Sequence, residues 1–187
     1  GLALELDVTR RDAPASSDLP KRLADSARHT RDLAERMREV VWAVNPKCDN
    51  VPGLAIFLEQ QASQFLRAAG LKVRFDFPES IPAKPVNSDT RHQLALAFRE
   101  ALTNVVRHAS ASKVTVSLAI EENMLVLRVA DDGCGFSPDT IRNGGHGLAN
   151  LRARLEHVGG RFECASSPGA GTTVTFVVPL GRDASQE

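Results

Sequence analysis

Tyrosine is missing from the 187 residues, tryptophan occurs once, and aromatic residues make up only 5% of the chain. Net charge is missing too, because 23 Lys and Arg offset 23 Asp and Glu. With no global basic field to hold a phosphate backbone, no nucleic-acid partner is expected. Apolar runs stay well short of the ~20 residues that span a bilayer, and no signal-peptide pattern occurs. The chain is thus expected to be cytoplasmic and to make no membrane contact. It opens with Gly1 rather than Met, which fits a piece of a longer protein with its membrane anchor, if any, elsewhere. Cysteines are few: Cys48, Cys134 and Cys164 form no CxxC pair and leave an odd count, the pattern of reduced thiols rather than a disulfide framework. None of the five histidines stands at ligand spacing from a cysteine, which argues against zinc. Neither GxxxxGK[ST] nor GxGxxG occurs, so the common phosphate-loop and dinucleotide folds have no support.

What is present has a clear order. A breaker cluster, "DAPASSDLP" (12–20), precedes a helical pattern in which Leu23, Ala27, Thr30, Ala34, Met37, Val41 and Val44 step alternately by four and three. That is a heptad seam, which suits either a helix lying on its own domain or a dimer-forming helix. "NPKCDNVPG" (45–53) carries two prolines and marks a boundary. Beyond it the expected elements are a helix over 54–69, a strand in "LKVRFDF" (71–77) and a helix over 88–109. A hairpin of 114–120 and 124–129 follows, then a glycine-rich loop, a helix over 148–158, and strands at 161–165 and 172–178. Hairpin strands with helices between them suggest an α+β fold, a two-layer sandwich of one mixed sheet with helices on one face. The expected domains are a partial helical region at 1–48, a globular domain at 49–181 and a tail at 182–187.

Most of the 13 glycines lie between Gly133 and Gly171, so this half is built around loops where the backbone bends or is approached closely. On the helix before the hairpin, "LALAFREALTNVVRHA", an apolar face of Leu94, Phe98, Ala101, Leu102 and Val105 opposes Glu100, Asn104, Arg107 and His108. The second set could be solvated surface. It could equally serve phosphate chemistry, with an amide oxygen on Mg²⁺, two basic groups on phosphate, and a carboxylate to orient or deprotonate an attacking group. "ADDGCGF" (130–136), after a run of β-formers, could be a strand-ending turn, the floor of a nucleotide site or half of a metal site.

Taken in order, Glu100/Asn104, "DDGCG", "GGHGL" and "GAGTT" resemble the four motifs of the GHKL ATPase superfamily (the Bergerat fold). The detail is most similar to bacterial sensor histidine kinases with a short ATP lid that pair with LuxR-like response regulators, and the resemblance covers residues 35–180. It implies that Asn104 ligates Mg²⁺, that Glu100 is the acid/base or water-orienting residue, and that Arg107 and His108 lie on the phosphate side. Asp131 would accept a hydrogen bond from the adenine amino group, with Gly133 and Gly135 making room for the base. An ionised carboxylate only accepts, so it selects an exocyclic amine over a carbonyl. Gly145, Gly147 and Leu148 would form the phosphate-binding helix start, with His146 beside them, and Thr172 would complete adenine recognition. Asp132 is expected to be a solvated neighbour and Cys134 incidental. ATP and Mg²⁺ are the implied cofactors, and a homodimer through the N-terminal helices and a response-regulator receiver domain the implied partners. The same fold also serves anti-sigma-type serine kinases and non-catalytic ATP-binding modules, against which "VVWAVNP" and the intact motif residues speak.

One feature of that kinase pattern is missing. The phosphoacceptor there is a histidine followed by an acid on the first dimerisation helix, whereas His29 is followed by Thr30 on what resembles the second. The acceptor is expected upstream of Gly1, and the chain alone is expected not to autophosphorylate.

Overall fold

A computed structural model describes residues 22–23, 25–26, 30, 49–137 and 146–181. Contacts divide the chain into units Gly1–Asn45 and Pro46–Glu187. In the first, Arg22, Leu23, Asp25, Ser26 and Thr30 are helical. The rest of the heptad seam, with Trp42 and His29, lies outside the described residues.

The second unit begins with helix α1 (Val51–Ala68). Its start is encoded in the proline-bearing stretch itself: Asn50 caps it by accepting from the Gly53 N–H at 2.8 Å, and Pro52 sits in the first turn, where its missing N–H costs nothing. The helix therefore starts three residues earlier than the sequence pattern alone suggests. Strand β1 (Lys72–Asp76) leads through the proline-rich connection to helix α2 (Ser88–Asn104), whose last turn widens into a π-helical segment over Val105–Ala109. Strands β2 (Lys113–Glu121) and β3 (Met124–Asp131) form the expected hairpin, with Glu122 in its turn at φ 55°. Helix α3 (His146–His157) and strands β4 (Arg161–Ser166) and β5 (Thr172–Pro179) complete the unit.

The strands form one mixed sheet in the order β1-β2-β3-β5-β4, parallel only between β1 and β2. Side chains alternate across a strand, so registered partners share a face. Val114, Val116 and Leu118 of β2 therefore stand beside Leu127 and Val129 of β3, and these beside Val174 and Phe176 of β5. All are buried, and the helices cover them with Leu54, Leu58 and Leu66 of α1, Leu94 and Phe98 of α2, and Leu151 and Leu155 of α3. The opposite face carries Arg74, Thr115, Arg128, Thr175 and Glu163. This is the two-layer α+β sandwich expected from the element order.

The segment preceding α1 is tied down by charge. Arg91, buried on α2, meets Asp49 at 2.8 Å. Guanidinium is the cation suited to such a site, because it is weakly hydrated and presents several donors at once.

Candidate functional site

The apolar rows of the helix-facing side end in a polar one. Continuing the register past Val129 and Val174 places Asp131 opposite Thr172, and Thr172 opposite Ser166. Here β3 stops, β5 starts, and α2 gives way to its π-helical turn. Together they enclose a cavity of about 550 Å³ with apolar walls from Ala101, Val105, Val129, Val174, Leu148 and Phe136. Polar groups enter it at chosen points: Glu100, Asn104 and His108 from α2 and its extension, Asp131 and Thr172 from the sheet, and Gly147 from α3. An apolar slot with a few converging polar groups is the usual form of a small-molecule site.

Asp131 is held by a local turn in which its Oδ1 accepts the Gly133 N–H at 2.9 Å. Its Oδ2 has no hydrogen-bond partner among the described residues. The charge is felt nearby: burial, reinforced by Asp131, raises the Cys164 thiol above its ordinary range. Asn104 is half-buried on the cavity wall, and its side-chain amide makes no hydrogen bond among the described residues.

Asp132 is exposed, as expected of a solvated neighbour, and is also a brace. Its Oδ1 accepts the backbone N–H of Ser112 at 2.7 Å and of Lys113 at 2.9 Å, while Oδ2 accepts the Ser112 hydroxyl at 2.6 Å. These bonds, the Ser112 hydroxyl first, hold its pKa down to about 2. The adjacent acids thus divide their work, Asp131 facing the cavity and Asp132 tying the end of β3 to the start of β2.

The glycines answer first to the backbone. A Cβ on Gly133 would collide with the Ala109 carbonyl, where the Cys134 N–H also bonds at 2.7 Å. Gly135, at φ 57°, lies against the Ser167 carbonyl, and Gly171, at φ 74°, against that of Asp131. These close contacts seal the 133–136 loop to the end of α2 and to the β4–β5 hairpin.

Among the expected site residues, the cavity gathers Glu100, Asn104, His108, Asp131, Gly135, Gly147 and Leu148, with Thr172. Gly133 supports the loop from behind. Arg107 is exposed and does not line the cavity, because the wider π-helical turn breaks the α-helical stripe on which all four polar residues were placed. His146 begins α3, with its side chain outside the described residues, and Gly145 lies outside them altogether. Ser166 was not anticipated. Its hydroxyl lies 3.0 Å from that of Thr172 and accepts the Phe136 N–H at 2.9 Å. Its position opposite Thr172 across the "SSPGAG" turn was the available signal.

The fold and the cavity define a class. The chain belongs to the family of histidine kinase-, DNA gyrase B- and HSP90-like ATPases, whose model matches residues 89–182. Within that family it is similar to sensor histidine kinases. It is 31% identical to the sensor histidine kinase LiaS of Bacillus subtilis over 149 residues, covering 80% of this chain and 40% of LiaS. With NarS of Mycobacterium tuberculosis it shares 32% over 185 residues, covering 97% and 42% of the two chains. The chain thus spans about two fifths of the length of these relatives, and it is an ATP-binding domain of the two-component sensor-kinase type. The histidine kinase domain of the Erythrobacter litoralis EL346 blue-light activated histidine kinase has the same fold, with a TM-score of 0.62 at 19% identity, covering 96% of this chain and 92% of that one. No helix among the described residues is long and apolar enough to cross a membrane.

Proposed function

We propose that the chain binds Mg·ATP in this cavity and delivers the γ-phosphoryl group to a histidine on dimerisation helices, for relay to a response-regulator receiver domain. The observation that carries this reading is the placement of Asp131 and Thr172 at one end of an apolar slot, with Asn104 and Glu100 on the helix across it. Adenine fits between Val129, Val174 and Ala101, its exocyclic amine towards Asp131. His108, Gly147 and Leu148 serve the phosphates, together with His146 and Gly145.

The donor set suits magnesium. Among the described residues no three His, Cys, Asp or Glu side chains gather as a metal site. A divalent ion would rest on one amide oxygen, Asn104, and otherwise on phosphate and water, the coordination that Mg²⁺ accepts. When bound, Mg²⁺ neutralises phosphate charge. Glu100 takes the proton from the attacking imidazole nitrogen as the new P–N bond forms and the bond to the β-phosphate oxygen breaks, releasing ADP. The remaining contribution is positioning. In the same reading residues 1–48 belong to a dimerisation and phosphotransfer helical region, 49–181 form the catalytic domain and 182–187 are a tail. The chain acts in the cytoplasm as a homodimer joined through the N-terminal helices.

The test supplies radiolabelled ATP and Mg²⁺ to the chain together with a dimerisation helix bearing a histidine followed by an acid. Acid-labile, base-stable phosphate on that histidine is expected, and Glu100→Gln should abolish it while ATP still binds. Acid-stable phosphoserine on a partner would overturn the histidine-kinase reading.

A further inference from the structure

We propose that Ser166 is a positioning residue that fixes the Thr172 hydroxyl as a hydrogen-bond acceptor towards the cavity, making the polar row selective for an exocyclic amine. The inference rests on the adenine-nucleotide reading of the cavity. It follows from counting protons. A serine hydroxyl has one hydrogen and two lone pairs. Ser166 Oγ lies 3.0 Å from the Gly171 carbonyl oxygen, which can only accept, so the one hydrogen of Ser166 is committed there. Phe136 N–H occupies one lone pair at 2.9 Å. The remaining contact, 3.0 Å to Thr172 Oγ1, then requires Thr172 to donate and Ser166 to accept. With its own hydrogen turned away, Thr172 offers the cavity only lone pairs.

Asp131, its registered neighbour, offers lone pairs as well. The end of the slot therefore presents two acceptors side by side and no hydroxyl donor. A 6-amino purine can supply hydrogens to such a row, directly or through water. A 6-oxo purine turns an acceptor to the row at position 6 and keeps a single donor, N1–H, where the amine has two, so one acceptor of the row is left desolvated and unpaired. Since Phe136 lines the cavity and gives its N–H to Ser166, the same hydroxyl also joins the 133–136 loop to the row that reads the base.

The experiment measures the affinities of the chain for ATP and for inosine triphosphate, both with Mg²⁺, in the wild type, Ser166→Ala, Thr172→Val and the double variant. Removing the Ser166 acceptor frees the Thr172 hydroxyl to donate into the cavity. The ratio of ATP to inosine triphosphate affinity is expected to fall about three- to tenfold in Ser166→Ala, the span of one neutral hydrogen bond. In the Thr172→Val background Ser166→Ala should leave that ratio unchanged, and Ser166→Thr alone, which keeps a hydroxyl at 166 and leaves Thr172 in place, should retain the wild-type ratio. Equal loss for both nucleotides, no change, or a further fall of the ratio in the double variant would each overturn the proposal. A wild type that binds neither nucleotide would instead refute the adenine-site reading beneath it.

Discussion

Two glycines in one hairpin turn separate backbone conformation from steric fit. Gly169 and Gly171 have nearly the same positive φ, 80° and 74°. A Cβ on Gly169 would meet nothing within 4 Å, whereas one on Gly171 would strike the Asp131 carbonyl and lie 3.3 Å from Asp132 Cα. Replacing either by alanine brings the left-handed penalty of about 1–2 kcal/mol. Gly171→Ala adds overpacking against main chain that cannot swing aside, about 1–3 kcal/mol more. That excess is a sizeable part of a typical domain stability of ~5–15 kcal/mol. For a unit of this size it should appear as a Tm about 2–12 °C lower for Gly171→Ala than for Gly169→Ala. Thermal unfolding followed by circular dichroism reads the difference. Nucleotide affinity should fall in Gly171→Ala alone, because the displaced atoms belong to Asp131, the residue proposed to read the base. Equal Tm values and equal affinities would refute the claim that close backbone packing builds this end of the site.

Asp132→Ala should lower Tm at neutral pH, with a deficit that shrinks as the solution is acidified. The folded-state pKa lies near 2, below the ordinary 3.8, so the carboxylate's contribution is full above about pH 4 and is lost as pH falls towards 2. A deficit independent of pH between 2 and 5 would show that the brace is not electrostatic. Cys164 should alkylate slowly at pH 8 and faster in Asp131→Asn, since that change removes one of the two causes that raise its pKa. Cys134, exposed at the cavity rim, should react readily and be protected by Mg·ATP; mass spectrometry of each peptide separates the sites.

Alternating and helical apolar patterns were enough to place α2, the hairpin and the helix-facing side of the sheet, because each of those elements buries one face. Glu100 and Asn104 could be placed on one helix face from spacing because α2 is regular and regular elements carry fixed periodicities, whereas Asp131 and Thr172 were legible only through the resemblance of their motifs to those of the GHKL superfamily. Legibility failed where regularity does. No propensity signals the π-helical turn that removes Arg107 from the stripe. Asp132 is the solvated neighbour the sequence suggests, but its bracing role was not legible because its partners, Ser112 and Lys113, are far away in sequence and become adjacent only through β2–β3 pairing. Ser166 was missed for a related reason. Its strand was expected to end one residue earlier, which left it in the turn, yet the last registered pair of β4 and β5 is Ser166 with Thr172. The need for glycine at 133 and 135 was readable, but the carbonyls that impose it were not.

The central claim is that Asp131 reads an adenine nucleotide in this cavity. Isothermal titration of the chain with Mg·ATP, for wild type and for Asp131→Asn, tests it most directly, with circular dichroism confirming that both are folded. Wild type should saturate at one nucleotide per chain. The variant exchanges a charged acceptor for an amide that can present a donor, and should bind about ten- to 150-fold more weakly, the value of one charge-assisted hydrogen bond. A folded Asp131→Asn chain that binds ATP as tightly as wild type would contradict the site as described.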